Sequence, residues 1–200
     1  MAQQVNSSIV VNAPRDEVFD YWHTLENLPN FMSNIDEVTG IAPGKTHWKV
    51  RGPLGTEMEF DAETTQDERP EALAWNTVNG NVQSSGQVRF QELGPDKTRL
   101  DVTMNYGDVP GGRVGEAAAK FVANPKVMMD QDLQNFKDIM EGEATPEEVQ
   151  QRPSVADAQS GAVAFLTSGA GLLLLGGGIL LFLLLRGRRK SRRTRIIFEF

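Results

Sequence analysis

Few side chains in this sequence are equipped for covalent or acid–base chemistry. Cysteine is absent, which removes a thiolate nucleophile, a thiolate zinc site, an iron–sulfur cluster and any disulfide framework. The only imidazoles are His23 and His47. His23 has no carboxylate or second histidine at a metal-binding spacing, and strand alternation turns His47 towards solvent beside Trp48. No metal and no cofactor is therefore expected. Gly111-Gly112 lacks the Lys-Ser/Thr of a phosphate loop, and no Gly-x-Ser-x-Gly elbow occurs. Asn6-Ser7-Ser8 fits a glycosylation acceptor but lies in a strand-like run, and the pattern is common by chance. Two candidates remain. Tyr106 could donate its phenolic proton to a carbonyl, and Arg51 could reach a cavity mouth if a bulge reversed its strand phase. For Tyr106 a strand-end aromatic with its hydroxyl in water is the favoured reading.

The elements that position these residues can be read from periodicity and turn chemistry. Residues 5–12 form a first strand, and Asn12-Ala13-Pro14 starts a helix with Asp16 and Glu17 in its first turn. Pro29 confines a second short helix to Leu25–Met32. Strand-like runs follow at about 35–41, 45–51, 56–66, 72–78, 83–92 and 97–106, separated by turns at Pro43-Gly44, Gly52-Pro53, Arg69-Pro70, Asn79-Gly80 and Gly94-Pro95. Short spacings of this kind suit an antiparallel meander. Arg113 to Glu141 reads as one long helix with a stripe at Met129, Leu133, Phe136 and Met140, bent at Asn124-Pro125. The fold class is α+β: a seven-stranded antiparallel sheet, two short helices after the first strand, and a long C-terminal helix across the concave face.

Charge divides the chain further. Residues 1–160 hold thirteen Lys/Arg against twenty-six Asp/Glu, a net of −13, and residues 186–200 hold seven cations against Glu199 alone. An acidic body excludes nucleic acid as its main partner, because phosphate binding needs a basic face. Between these regions Ala162–Leu185 runs for 24 residues without a charge. About 20 apolar residues cross a bilayer as a helix, so this run predicts a single transmembrane segment. The domain boundaries are then 1–141 for a folded domain, 142–161 for an acidic flexible linker, 162–185 for the membrane helix and 186–200 for a basic juxtamembrane tail. The 186–195 cations suit anionic lipid headgroups, and the small residues between Gly169 and Gly178 offer a face for homodimerisation.

Sidedness carries opposing signals. The basic tail predicts a cytoplasmic C-terminus with the domain outside, whereas the lack of a leader at Met1–Val5 favours a cytoplasmic domain. A re-entrant hairpin broken at Gly176–Gly178 would keep both ends inside, but its arms are short. The balance favours the cytoplasm.

Within the domain, one phase of each strand is apolar: Trp48 and Val50, Met58 and Phe60, Leu73 and Trp75, Val88 and Phe90, then Leu100, Val102, Met104 and Tyr106. The opposite phase carries His47, Lys49, Arg51, Glu57, Glu59, Asp61, Glu63, Arg89, Arg99 and Asp101. Ionisable groups thus fall almost wholly on the solvent side, which argues against acid–base catalysis.

Several phrases, in order, carry a resemblance: Ile9-Val10-Val11-Asn12-Ala13-Pro14 into Glu17-Val18-Phe19, Leu28-Pro29-Asn30-Phe31-Met32, His47-Trp48-Lys49-Val50 with Gly52-Pro53, Ala74-Trp75-Asn76, Ser85-Gly86-Gln87-Val88-Arg89-Phe90, and Asp132-Leu133 with Phe136-Lys137. Over about Val5–Glu141 the chain resembles the START-like helix-grip (SRPBCC) superfamily, specifically its polyketide cyclase/dehydrase and coenzyme Q-binding branch. The resemblance implies a deep cavity between sheet and long helix that receives a hydrophobic molecule. Its lining would come from Trp48, Val50, Met58, Phe60, Trp75, Val88, Phe90, Val102, Met104 and Tyr106 on the strands, and from Phe121, Met129, Leu133 and Phe136 on the helix. The superfamily contains cyclases, lipid carriers and hormone-binding proteins, so fold alone does not choose among them. The residue chemistry favours a non-catalytic binder of a lipid, quinone or polyketide-like molecule. A cyclase or dehydratase using Tyr106, and an adaptor whose cavity is filled by its own side chains, are the alternatives.

Overall fold

A computed structural model describes residues 3–51, 57–80, 83–106 and 125–153. Strand β1 (Gln3–Val11) leads through Pro14 into helix α1 (Arg15–His23). Proline there costs no hydrogen bond, and Asp16 and Glu17 lie where the helix dipole favours negative charge. Val18, Phe19 and Trp22 form the buried side of α1. A 3-10 helix follows over Leu25–Asn30, burying Leu25 and Leu28 three residues apart, one turn of that tighter helix. It ends before the expected Met32, because Phe31 and Met32 turn inward and are almost wholly buried.

Strands β2 (Ile35–Ala42), β3 (Lys45–Arg51), β4 (Glu57–Glu68), β5 (Ala72–Gly80), β6 (Ser84–Gly94) and β7 (Lys97–Tyr106) complete a seven-stranded sheet. Its order is β1-β7-β6-β5-β4-β3-β2, antiparallel throughout. Each expected strand is present, its ends shifted by at most a few residues. Register brings the apolar phases into line: Trp48 opposite Phe60, Val88 opposite Val102, and Phe90 opposite Leu100. Gly80 is required at the end of β5, where φ is +114° and a Cβ would lie 2.7 Å from the Glu59 carbonyl oxygen.

Helix α2 (Pro125–Met140) lays Met129, Leu133 and Phe136 into the core. It packs chiefly along β1. At its C-terminal end Lys137 Nζ donates to the Val10 carbonyl at 2.9 Å, and Glu141 accepts the Asn12 backbone N–H at 2.7 Å. The described helix begins at Pro125, a residue that suits a first helical position. The expected upstream part, 113–124, and with it the bend, lies outside the described residues.

The segment after α2 differs from expectation. Residues 142–153 were expected to belong to a tether with no packed face, yet Pro146–Gln150 forms a short helix, α3. A capping box explains it: the Thr145 hydroxyl accepts the Glu148 N–H while the Glu148 carboxylate accepts the Thr145 N–H. Val149 is buried, and Arg152 Nη1 donates to Asn135 Oδ1 at 2.9 Å and Asp138 Oδ2 at 2.7 Å. One buried valine and one arginine bonded to α2 dock a segment that composition made look solvated. Residues 154–161, the 162–185 apolar run, the Gly169–Gly178 face and the 186–200 tail lie outside the described residues. Among the described residues no helix is long and apolar enough to cross a membrane.

Candidate functional site

The inner face of the sheet is aromatic at one end. Because Trp48 and Phe60 are register partners, their rings stack at 5.6 Å, and the Trp75 ring also stacks with Trp48, at 5.9 Å. The Trp48 indole N–H is satisfied by Thr46 Oγ1 at 2.7 Å, so the ring presents its face rather than a polar edge. Gly86 stands opposite Trp75 on β6, and a Cβ there would collide with the Trp75 ring and lie 2.7 Å from Met104 Sδ. The missing side chain is what lets the indole lie against the sheet.

Of the expected lining residues, Trp48, Val50, Phe60, Trp75, Val88, Phe90, Val102, Met104, Met129, Leu133 and Phe136 are all buried in one continuous core, with Met58 partly buried against it. They fall into two aromatic groups. Trp48, Phe60 and Trp75 form the first. Phe136 belongs to a second, 5.0 Å from Phe31 and 5.7 Å from both Trp22 and Tyr21. Phe90 meets Phe19 edge-on at 5.2 Å. Sequence reasoning did not include Trp22 and Phe31 in the site, although the α1 apolar side and the Phe31-Met32 pair pointed inward. Among the described residues the buried Trp22 Nε1 has no acceptor. The Tyr106 backbone closes β7 opposite Gln3 and Ser84, but its side chain and the whole of Phe121 lie outside the described residues.

The outer face carries the ions, as the strand phase requires. His47 Nδ1 lies 2.8 Å from Asp61, Lys49 is 2.6 Å from Glu37, and Arg99 is 2.8 Å from Asp101. The bonds from His47 and Asn79 hold the Asp61 carboxyl below its ordinary range, and the Lys49 ammonium does the same for Glu37. His23 has a partner that spacing did not reveal: Asp67, 3.1 Å away on β4, while its ring stacks on Phe19. Among the described residues no group of three or more such side chains could hold a metal ion.

A cleft of ≈ 310 Å³ opens at a different corner, between the 3-10 helix, the start of β2, the end of β3, the middle of α2 and the docked α3 segment. Phe31, Ser33, Arg51, Asn135, Val149 and Arg152 are among its walls, and none of the expected lining residues is. Arg51 stays on the exterior, bonded to Asp36 at 2.8 Å and to the Ser33 carbonyl at 2.9 Å. Beside this cleft lies Asp132, which is 2% exposed and whose Oδ1 accepts the Ser33 N–H at 3.0 Å. Burial pushes its pKa up to about 6, with the bonds from Ser33 opposing. Asp132 stands three residues from Met129 and four from Phe136, so helical spacing was the signal that placed it inside. Its carboxyl faces the Ser33 link, not the aromatic wall.

Comparisons with known proteins agree with this geometry. The family described as "Polyketide cyclase / dehydrase and lipid transport" matches residues 2–141. An uncharacterised 17.2 kDa protein of Streptomyces lincolnensis is 33% identical over 139 residues, covering 69% of this chain and 89% of the relative. A START superfamily protein from Mycobacterium smegmatis superposes with a TM-score of 0.55 at 16% identity, covering 70% of this chain and 99% of that one. The ZhuI aromatase/cyclase from Streptomyces sp. R1128 does so at 0.53 and 16%, covering 72% and 93%. The chain belongs to the polyketide cyclase/dehydrase and lipid transport family, with the START-like helix-grip fold.

Proposed function

We propose that this family member is a non-catalytic binding or carrier module for a hydrophobic small molecule, of lipid, quinone or polyketide-like class, held between the sheet and the C-terminal helix. The observation that carries the reading is the stack of Trp48, Phe60 and Trp75 on an inner face whose neighbours in the strands, His47, Lys49 and Asp61, are paired on the outer one. Sites for such ligands are concave, mostly apolar and sparsely polar. Met104 and Met58 add flexible, polarisable surface that can adapt to a guest. The test is organic extraction of the purified full-length chain followed by mass spectrometry. A lipophile recovered near one per chain supports the reading. None recovered, with no binding to a panel of quinones and lipids, overturns it.

Two other functions have specific support. The depth at which the expected lining residues are buried favours an adaptor whose interior is filled by its own side chains. The family description favours a cyclase or dehydratase; Tyr106 is the residue we propose as its proton donor, a role that unchanged turnover in Tyr106→Phe would remove.

The same proposal places the module on a membrane. Ala162–Leu185 spans the bilayer, the seven cations of 186–195 meet anionic headgroups, and the domain stands on the cytoplasmic side. The Gly169–Gly178 face pairs two copies. A bilayer is where such ligands accumulate, which links the two halves of the reading. Protease access to the domain in intact cells against permeabilised ones tests the sidedness, and cross-linking in bilayers tests the pairing.

A further inference from the structure

The corner where the 3-10 helix, β2, β3, α2 and α3 meet holds a carboxyl group that the aromatic wall does not use. Asp132 is buried on the inner face of α2 and accepts the backbone N–H of Ser33 at 3.0 Å. The carbonyl of the same residue accepts from Arg51 Nη2 at 2.9 Å. The link between the 3-10 helix and β2 is therefore held at one residue from two sides. One holder has a fixed charge and the other titrates. Ser33, with Phe31, Met32 and Ile35, forms one wall of the ≈ 310 Å³ cleft, so movement of this link changes the opening of the cleft.

The other ionisable groups on the packed elements are engaged elsewhere. Asp36 of β2 pairs with Arg51 of β3 at 2.8 Å, and Asp138 of α2 pairs with Arg152 at 2.7 Å. Tyr21 of α1 accepts from Asn30 at 3.2 Å, and Glu147 of α3 acts on that phenol. The influences on the Asp132 carboxyl are its burial, the largest, and the opposing bonds from Ser33. Among the described residues no cation pairs with this carboxyl, so nothing there absorbs a change in its charge.

We propose that Asp132 is a proton-dependent latch on this corner. With the proton bound, the Ser33 link stays seated against α2. With the proton lost, the buried charge favours states in which the link lifts and water reaches the carboxylate through the cleft. In the lifted state the carboxyl is hydrated and titrates as an ordinary aspartate. Linkage between that value and the buried one of about 6 then raises the opening constant about tenfold from pH 5 to pH 7, with a plateau above.

Amide hydrogen exchange on the full-length chain tests this, read at Ser33 and Asn34 from pH 5 to pH 8 and corrected for the intrinsic rate. The expected result is the tenfold rise in the wild type and none in Asp132→Asn, whose amide oxygen can still accept the Ser33 N–H. The His23→Gln/His47→Gln double variant should keep the wild-type profile. A flat corrected profile in the wild type overturns the latch, as does a slope that survives Asp132→Asn or vanishes with the histidines. Should Asp132→Asn fail to fold, the carbon-13 shift of the Asp132 carboxyl in the wild type decides. A midpoint near 6 supports the latch and one below 5 overturns it.

Discussion

Substituting Gly86 by alanine tests whether the aromatic wall is as closely fitted as its geometry implies. The added Cβ would lie 2.6 Å from Trp75 Cε2 and 2.7 Å from Met104 Sδ, closer than such atoms can stay. Met104 ends in a flexible thioether and can retreat. Trp75 cannot do so freely, being 3% exposed and stacked on Trp48 with 21° between planes. Overpacking of this kind costs about 1–3 kcal/mol. Alanine recovers about 0.5–1 kcal/mol relative to glycine within a regular element. The net expectation is a loss of about 0.5–2 kcal/mol, together with a changed near-ultraviolet circular dichroism signal from the displaced indoles. Urea unfolding followed by fluorescence and dichroism measures both. An unchanged midpoint with an unchanged aromatic spectrum would refute the close fit of Trp75 against β6.

Other outcomes follow from the same structure. The Asp132 carboxyl titrates higher in the folded chain than in the unfolded one, so its contribution to stability is fully present below about pH 4 and is lost as the pH rises through about 6. The whole loss, from below pH 4 to above pH 7, is of order 3 kcal/mol; about 1.4 kcal/mol of it falls between pH 5 and pH 7, where urea midpoints for the wild type should fall relative to Asp132→Asn. Midpoints that stay parallel for the two proteins would contradict this burial. Val149→Ala should lower stability by about 1–2 kcal/mol if α3 is docked as described, measurable by thermal unfolding, whereas an exposed tether would register no change. Thr145→Ala removes the capping box and should cost about 1 kcal/mol of α3 formation, read as faster amide exchange at Val149.

Much of this architecture was legible because strands of one antiparallel sheet announce themselves by alternation. Trp48 and Val50, Val88 and Phe90, and Leu100, Val102 and Met104 keep a strict two-residue phase, and turn residues bound each run. The site was legible as a face but not as a shape. Phase placed Trp48, Phe60 and Trp75 inside, while their mutual stacking depends on register and on the vacancy at Gly86, which only the folded sheet brings together. Long-range partners were equally hidden. His23 finds Asp67 across 44 residues, and Asp132 finds Ser33 across 99, separations that no local spacing encodes. The α3 segment was missed for a different reason. Its polar composition described the solvent side of a one-turn helix, and its anchors, a single apolar Val149 and the long-range bonds of Arg152, leave no signal for a periodicity argument.

The central claim is that the inner aromatic wall receives a hydrophobic guest, and titrating the intrinsic tryptophan emission with a short-chain quinone measures it most directly. The account predicts saturable quenching at one quinone per chain, weakened in Gly86→Val, where the larger side chain intrudes on Trp75. Quenching that rises linearly without saturation, or saturates identically in Gly86→Val, would contradict it.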